Sequence, residues 1–366
     1  MGVSQIQTAP AEGRHYPQLD SLRAIAIGLV MIEHYAAGLA RFVPIGPGTL
    51  GVNLFFVLSG YLIMSGLLRD MSRETSAKVI LVPFFTKRFF RLFPVYFAAL
   101  VALTILGIER VTTGIWWHTL YLSNVYPSFG GNSTVFWSLA VEEQFYIVLP
   151  LFIFLGSREK LEARLWIALG ACLAYKVVLF GLFGSFNWRM LPAAADPLLV
   201  GCLMAIRIAK NDSVALNKRD AILLPKIAIL GGIFAVVIWL SSSQALRQIF
   251  NQILNGVFFA FIVYTCLIGV KGRFGAVLNN SVLRYLGRIS YGLYLVHSFV
   301  PDILRFLAPH LSEMGVAILT LPIVLGICAA SYRFFEGPLL RYGHSLAKDF
   351  RIRLKQRSLS PQGGAA

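Results

Sequence analysis

Several stretches of this 366-residue sequence place ionisable or hydrogen-bonding side chains at helical spacing inside otherwise apolar surroundings. Arg23 and His34 stand eleven residues apart, about 16 Å of helical rise and only about 20° of rotation, so they share one face. A guanidinium at one end of that face suits an anion, and an imidazole at the other suits general-base work. In the stretch Phe136 to Tyr146, Ser138, Glu142 and Tyr146 are spaced four apart and line one face, while Glu143 points about 100° away from Glu142. Glu142 is expected at the depth of His34, where a carboxylate fixes the imidazole tautomer and raises its basicity. Asn53, at the start of the stretch Gly51 to Ile63, is expected beside the same histidine. Lys87, Arg88 and Arg91 cluster just before Phe93-Pro94, and Arg284 and Arg288 precede Ser290-Tyr291-Gly292. With Arg23 these form a basic ring suited to a phosphate-bearing ligand.

Plainer readings stand beside these. Arg23 is capped equally well by Asp20, and His34 and Glu142 each suit a buried helix–helix hydrogen bond. The arginines also suit anionic lipid, and Ser59 and Gly60 suit close packing. His297 either lines the same cavity or faces a packed helix; Asp196 either touches substrate or bonds backbone freed by Pro197. His15, His118, His310 and His344 carry no signal, and there is no GxSxG, P-loop, HExxH or repeated half.

The elements that position these residues follow from composition. Hydrophobic residues make up 57% of the chain and charged ones 14%, against roughly 45–50% and about 25% in soluble domains, which excludes a cytosolic globular protein. Apolar runs near the roughly 20 residues that cross a bilayer predict an all-α polytopic membrane protein with about ten transmembrane helices. They fall near residues 19–40, 49–68, 92–108, 134–155, 165–183, 190–206, 227–242, 250–270, 289–307 and 315–335. Gly114 to Val125, with Trp116, Trp117 and Tyr121, is too short to span and suits an interfacial helix. Residues 1–18 are expected as a cytoplasmic tail without a signal peptide, and residues 343–366 as a basic, disordered cytoplasmic tail.

The net charge of +16 would suggest nucleic acid in a soluble chain. Sorted along this chain, 25 Lys and Arg fall in the even loops and tails and five in the odd loops, with Arg23, Lys176 and Arg333 inside spans. That asymmetry predicts both termini in the cytoplasm of a cell-membrane (inner or plasma) protein, with membrane lipid rather than nucleic acid as partner. Cys172, Cys202, Cys266 and Cys328 each stand alone in apolar stretches and are expected as small core hydrophobes, with no metal implied.

In this setting the motifs resemble the membrane-bound acyltransferase family 3. The resemblance rests on Leu19-Asp20-Ser21-Leu22-Arg23 with the spacing to His34, on Gly51 to Ile63, and on Arg88 with Arg91. It continues through Trp137-Ser138-Leu139 leading to Glu142 and Phe145-Tyr146, then Ser290-Tyr291-Gly292 and Arg333-Phe334-Phe335-Glu336. Six such elements in order place an acyltransferase family 3-like transmembrane domain over residues 19–342.

The resemblance implies transfer of an acyl group, usually acetyl, from cytoplasmic acyl-CoA (acetyl-CoA) to a hydroxyl of a cell-surface or extracellular glycan, or of a small molecule. It implies His34, Glu142, Tyr146 and Asn53 as catalytic residues, and Arg23, Arg88, Arg91, Ser290 and Tyr291 as cofactor-binding residues. The position of Asn53 is often acidic in such proteins; an amide orients a histidine or donates to an oxyanion but does not stabilise an imidazolium by charge. Some relatives append a hydrolase-like domain, so a second transfer step here is expected to need a separate protein. The rival class is a non-catalytic exporter or flippase of a glycan or lipid intermediate, since a polar cavity through ten spans serves either purpose.

Overall fold

The computed structural model describes residues 16–35, 46–126, 135–210 and 218–359. The fold is all-helical, 84% helix, with no strand among the described residues. Its main helices are α1 (Pro17–Tyr35), α2 (Pro47–Arg73), α3 (Ala77–Ile105), α4 (Phe136–Phe154), α5 (Leu161–Phe183) and α6 (Asp196–Lys210). They continue with α7 (Lys218–Leu240), α8 (Gln244–Ile268), α9 (Ser290–Val296), α10 (Val300–Leu307), α11 (Glu313–Ser331) and α12 (Gly337–Leu359). Residues 1–15 of the expected N-terminal tail, residues 36–40 of the first predicted span, Arg41 and residues 360–366 lie outside the described residues.

Among the described residues, six helices are long and apolar enough to cross a membrane: α2, α3, α4, α5, α8 and the continuous run Glu313–Arg357. Of the four other predicted spans, the seventh keeps only Ile229–Ile238 as a shorter apolar helix, and the remaining three differ for visible reasons. Helix α1 carries Asp20, Arg23, Glu33 and His34; α6 has 15 residues; and the predicted ninth span is interrupted between α9 and α10 at His297 to Phe299. Large apolar side chains such as Ile105, Leu155, Phe183 and Phe334 face outward, as a lipid solvent requires.

The centre is built on close crossings at glycines. Gly51 of α2 approaches the Ala26 carbonyl of α1, and Gly60 of α2 and Gly201 of α6 each face backbone of the other helix, so a side chain at these positions would clash. The N-terminal turn of α1 is clamped from outside: Gln18 exchanges bonds with the Val270 backbone at 3.0 and 2.9 Å, and Ser21 donates to the Leu278 carbonyl at 2.6 Å. That clamp, with Gly287 against the Asp20 carbonyl, fixes where Arg23 points.

Ion pairs tie the connections together: Arg207 and Lys210 meet Glu162, Arg351 meets Asp70 at 2.7 Å, Arg110 meets Asp302, and Arg305 meets Glu313.

Two expectations need correction. The basic segment from Lys348 to Arg357 is helical, as part of α12, which packs along α3 and pairs Arg351 and Lys355 with Asp70 and Glu74. Its ion pairs and its contact with α3 order a stretch that composition alone suggests is disordered. Asp196 lines none of the three pockets that run along α1 and pairs instead with Lys176 of α5, both fully buried, which also accounts for the lysine left inside a span. The four cysteines are free thiols; Cys202, Cys266 and Cys328 are buried and Cys172 is half-buried.

Candidate active site

Three adjoining pockets run along α1. The middle one, a cavity of about 50 Å³, is the tightest, and Arg23, Arg88, Arg91, Ser290 and Tyr291 all line it. Glu142 and Tyr146 line it too. Ser59 donates to Glu142 Oε1 at 2.6 Å, and the Arg88 guanidinium lies 5.0 Å from the centre of the Tyr146 ring. A carboxylate among three guanidiniums offsets part of their mutual repulsion while leaving net positive charge for an anion. Tyr291 donates to the Leu92 carbonyl at 3.1 Å, tying α9 to α3 beside the arginines.

The pocket toward the Arg23 end, about 250 Å³, shares Arg23 and Arg91 with the middle one and adds Asp20, Arg288 and Glu336. Arg288 belongs to the short helix Ser281–Arg288 that packs on α1. Of the basic ring expected from the sequence, Arg23, Arg88, Arg91 and Arg288 line these two pockets with carboxylates interleaved, and Lys87 and Arg284 line neither.

The pocket at the other end, about 230 Å³, shares Val52 and Tyr294 with the middle one and is lined by His34, Asn53 and Glu33. His34 Nδ1 lies 2.8 Å from the Val30 carbonyl. A carbonyl only accepts, so Nδ1 carries the proton and Nε2 keeps its lone pair. His297 is held in the same way, with Nδ1 2.8 Å from the Tyr294 carbonyl, and its ring meets His34 edge-on at 4.9 Å between centroids. His297 Nε2 and Asn53 Nδ2 are both buried without a partner among the described residues. Glu33 is engaged by the Gly48 amide at 2.6 Å.

Glu142 does not meet His34. Ser138 of α4, one turn away, bonds at 2.5 Å with Tyr294, which lines both the middle cavity and the His34 pocket. On α2 the partner of Glu142, Ser59, lies six residues from Asn53, about 9 Å along the helix. The carboxylate is therefore set with the arginines, and the backbone carbonyl of Val30 holds the tautomer of His34 instead. Gly60 packs as expected, while its neighbour Ser59, also expected as packing, is a hydrogen-bond donor to the site.

Sequence reasoning missed a set of amides beside this pocket. Gln144 of α4 and Asn124 exchange bonds at 3.0 and 2.8 Å; Asn124 also donates to the Arg189 carbonyl at 3.3 Å, and its own carbonyl accepts from Asn187 at 3.1 Å. The network fastens the loop carrying Trp188 and Arg189 to α4. A glutamine at membrane depth was its one visible signal. His118, silent in the sequence, is buried with Nδ1 2.8 Å from Ser123 Oγ, and burial pushes its pKa below the usual imidazole value. The expected interfacial stretch, Gly114 to Val125, holds only the short helix Ile115–Thr119, with Glu109–Thr112 just before it. No group of three metal-binding side chains comes together among the described residues.

Comparison with known proteins agrees with this arrangement. A family described as an acyltransferase domain matches residues 16–333. The peptidoglycan O-acetyltransferase OatA of Listeria monocytogenes is 27% identical over 365 residues, covering 90% of this chain and 56% of the relative. The putative peptidoglycan O-acetyltransferase YrhL of Bacillus subtilis is 28% identical, covering 90% of this chain and 56% of that protein. The O-acetyltransferase OatA of Staphylococcus aureus (strain NCTC 8325) is 29% identical, covering 90% and 58%. The chain thus spans a little over half the length of these relatives. No solved structure matches.

Proposed function

The chain belongs to the acyltransferase family, whose domain it carries over residues 16–333, and from that premise we propose that it transfers an acetyl group from acetyl-CoA to a hydroxyl of a cell-surface glycan. The observation that carries this reading is the line of pockets along α1, with arginines at one end and an imidazole beside a free amide donor at the other. The names of the relatives favour a peptidoglycan-type acceptor.

In this reading Arg23, Arg88 and Arg91, with Ser290 and Tyr291, hold the phosphates of the donor through charge-assisted hydrogen bonds. The excess of positive charge at that end of the bundle directs it to the cytoplasm, with both termini on the same side. The thioester arm passes the constriction beside Glu142 and Tyr146 and reaches the far pocket. There His34 Nε2 takes the proton of the acceptor hydroxyl as its oxygen attacks the thioester carbonyl. The C–O bond forms, the C–S bond breaks, and the proton passes to the departing thiolate. Asn53 Nδ2 supplies a hydrogen bond to the carbonyl oxygen as negative charge develops on it. A route through a transiently acylated His34 uses the same residues in the same places.

The rival reading, an exporter or flippase, has no use for a thioester, so consumption of acetyl-CoA separates the two. The purified protein should release free CoA from acetyl-CoA when a glycan oligosaccharide is supplied, and the acceptor should gain one acetyl group per CoA. Binding of the oligosaccharide with no consumption of the thioester would support the exporter instead.

A further inference from the structure

The pocket that holds His34 has a wall that the chemistry above does not use. Trp137 of α4 and Trp188 meet edge-on at 74°, 4.8 Å between ring centroids, and the Arg189 guanidinium lies 5.0 Å from the centre of the Trp188 ring and 6.0 Å from that of Trp137. Gln252 of α8 lines the same pocket. Trp188 is 39% exposed, an aromatic surface left open rather than packed away. It is nonetheless held firmly, because the Asn124, Gln144 and Asn187 amides fix its loop to α4.

On the premise that this is the acceptor end of the site, we infer that Trp188 and Trp137 form a platform on which a pyranose ring of the acceptor glycan stacks. The faces of the indole rings carry partial negative charge and attract the weakly positive C–H groups on the flat side of a sugar ring. The hydroxyl and acetamido groups at the rim of that ring meet the side-chain amide of Gln252, which both donates and accepts. Glu33 and Arg189 bring opposite charges to the lining, which suits a neutral polyhydroxy ligand better than an anion. A lipid chain would call for unbroken apolar walls. The platform thereby selects the acceptor and brings its hydroxyl to the imidazole.

The test is equilibrium binding of fluorophore-labelled chitotetraose to the full-length protein in detergent, read by anisotropy in the absence of acyl-CoA. Trp188→Ala should weaken binding tenfold or more and Trp188→Phe should restore it to within about threefold, because a benzene ring keeps the stacking face. Trp166→Ala, on the outward face of α5, should bind as the wild type does. Wild-type affinity in Trp188→Ala, as expected of a plain interfacial anchor, or no saturable binding by the wild type, would overturn the inference. Oligosaccharide binding that depends on Trp188 in a protein that consumes no acetyl-CoA would leave the platform standing and remove the proposed reaction.

Discussion

Ser59 of α2 donates a 2.6 Å hydrogen bond to Glu142 of α4, and this bond sets the carboxylate among the arginines rather than beside His34. The two ends of the site therefore have separate supports: a compensated cluster of charge at the constriction, and a pair of backbone-locked imidazoles beyond it.

Removing the donor tests the first support. In Ser59→Ala the carboxylate loses a bond of the charged class, about 1.5–3 kcal/mol, so acetyl-CoA turnover should fall about tenfold or more while the protein still inserts. Steady-state release of CoA by purified protein measures it, and an unchanged rate would detach Glu142 from the site.

Arg88→Gln and Arg91→Gln each remove one of the guanidiniums proposed to bind the donor's phosphates. Half-saturation by acetyl-CoA should rise about tenfold to a hundredfold, from the same 1.5–3 kcal/mol per charged hydrogen bond. Free CoA should lose affinity in parallel. Titration with CoA separates this from ordinary decoration of a cytoplasmic face, for which affinity would not move.

The buried pair of Lys176 and Asp196 supports the fold rather than the chemistry. Lys176→Met leaves a buried carboxylate without its partner and should cost about 3–5 kcal/mol, whereas Lys176→Met combined with Asp196→Leu should recover most of the loss. Thermal unfolding in detergent, compared across the two variants, checks both parts.

Much of this arrangement was legible in the sequence because helical spacing is local. Arg23 and His34 lie at opposite ends of one pocket line, and the five residues expected to hold the donor share one pocket. The partner of Glu142 was not legible, since it depends on how far α4 slides past α1 and α2; the carboxylate meets Ser59 rather than His34. The order in α12 was hidden for a similar reason. Arg351 and Lys355 are four apart, as are Asp70 and Glu74, but the match appears only once the two helix ends are side by side. Trp188 lay in a loop too short to carry a pattern, and the amides that hold it come from three separate segments.

In the proposed reaction one chain takes an acetyl group from a donor at the arginine end and delivers it, through His34, to a glycan at the other. Protein reconstituted in vesicles, with labelled acetyl-CoA on the arginine side and chitotetraose on the opposite side, measures this directly. The wild type should form acetylated oligosaccharide in step with CoA released on the donor side, and His34→Ala should lower that rate by at least about a hundredfold, as loss of a general base does. Product formed by His34→Ala at the wild-type rate would contradict the account.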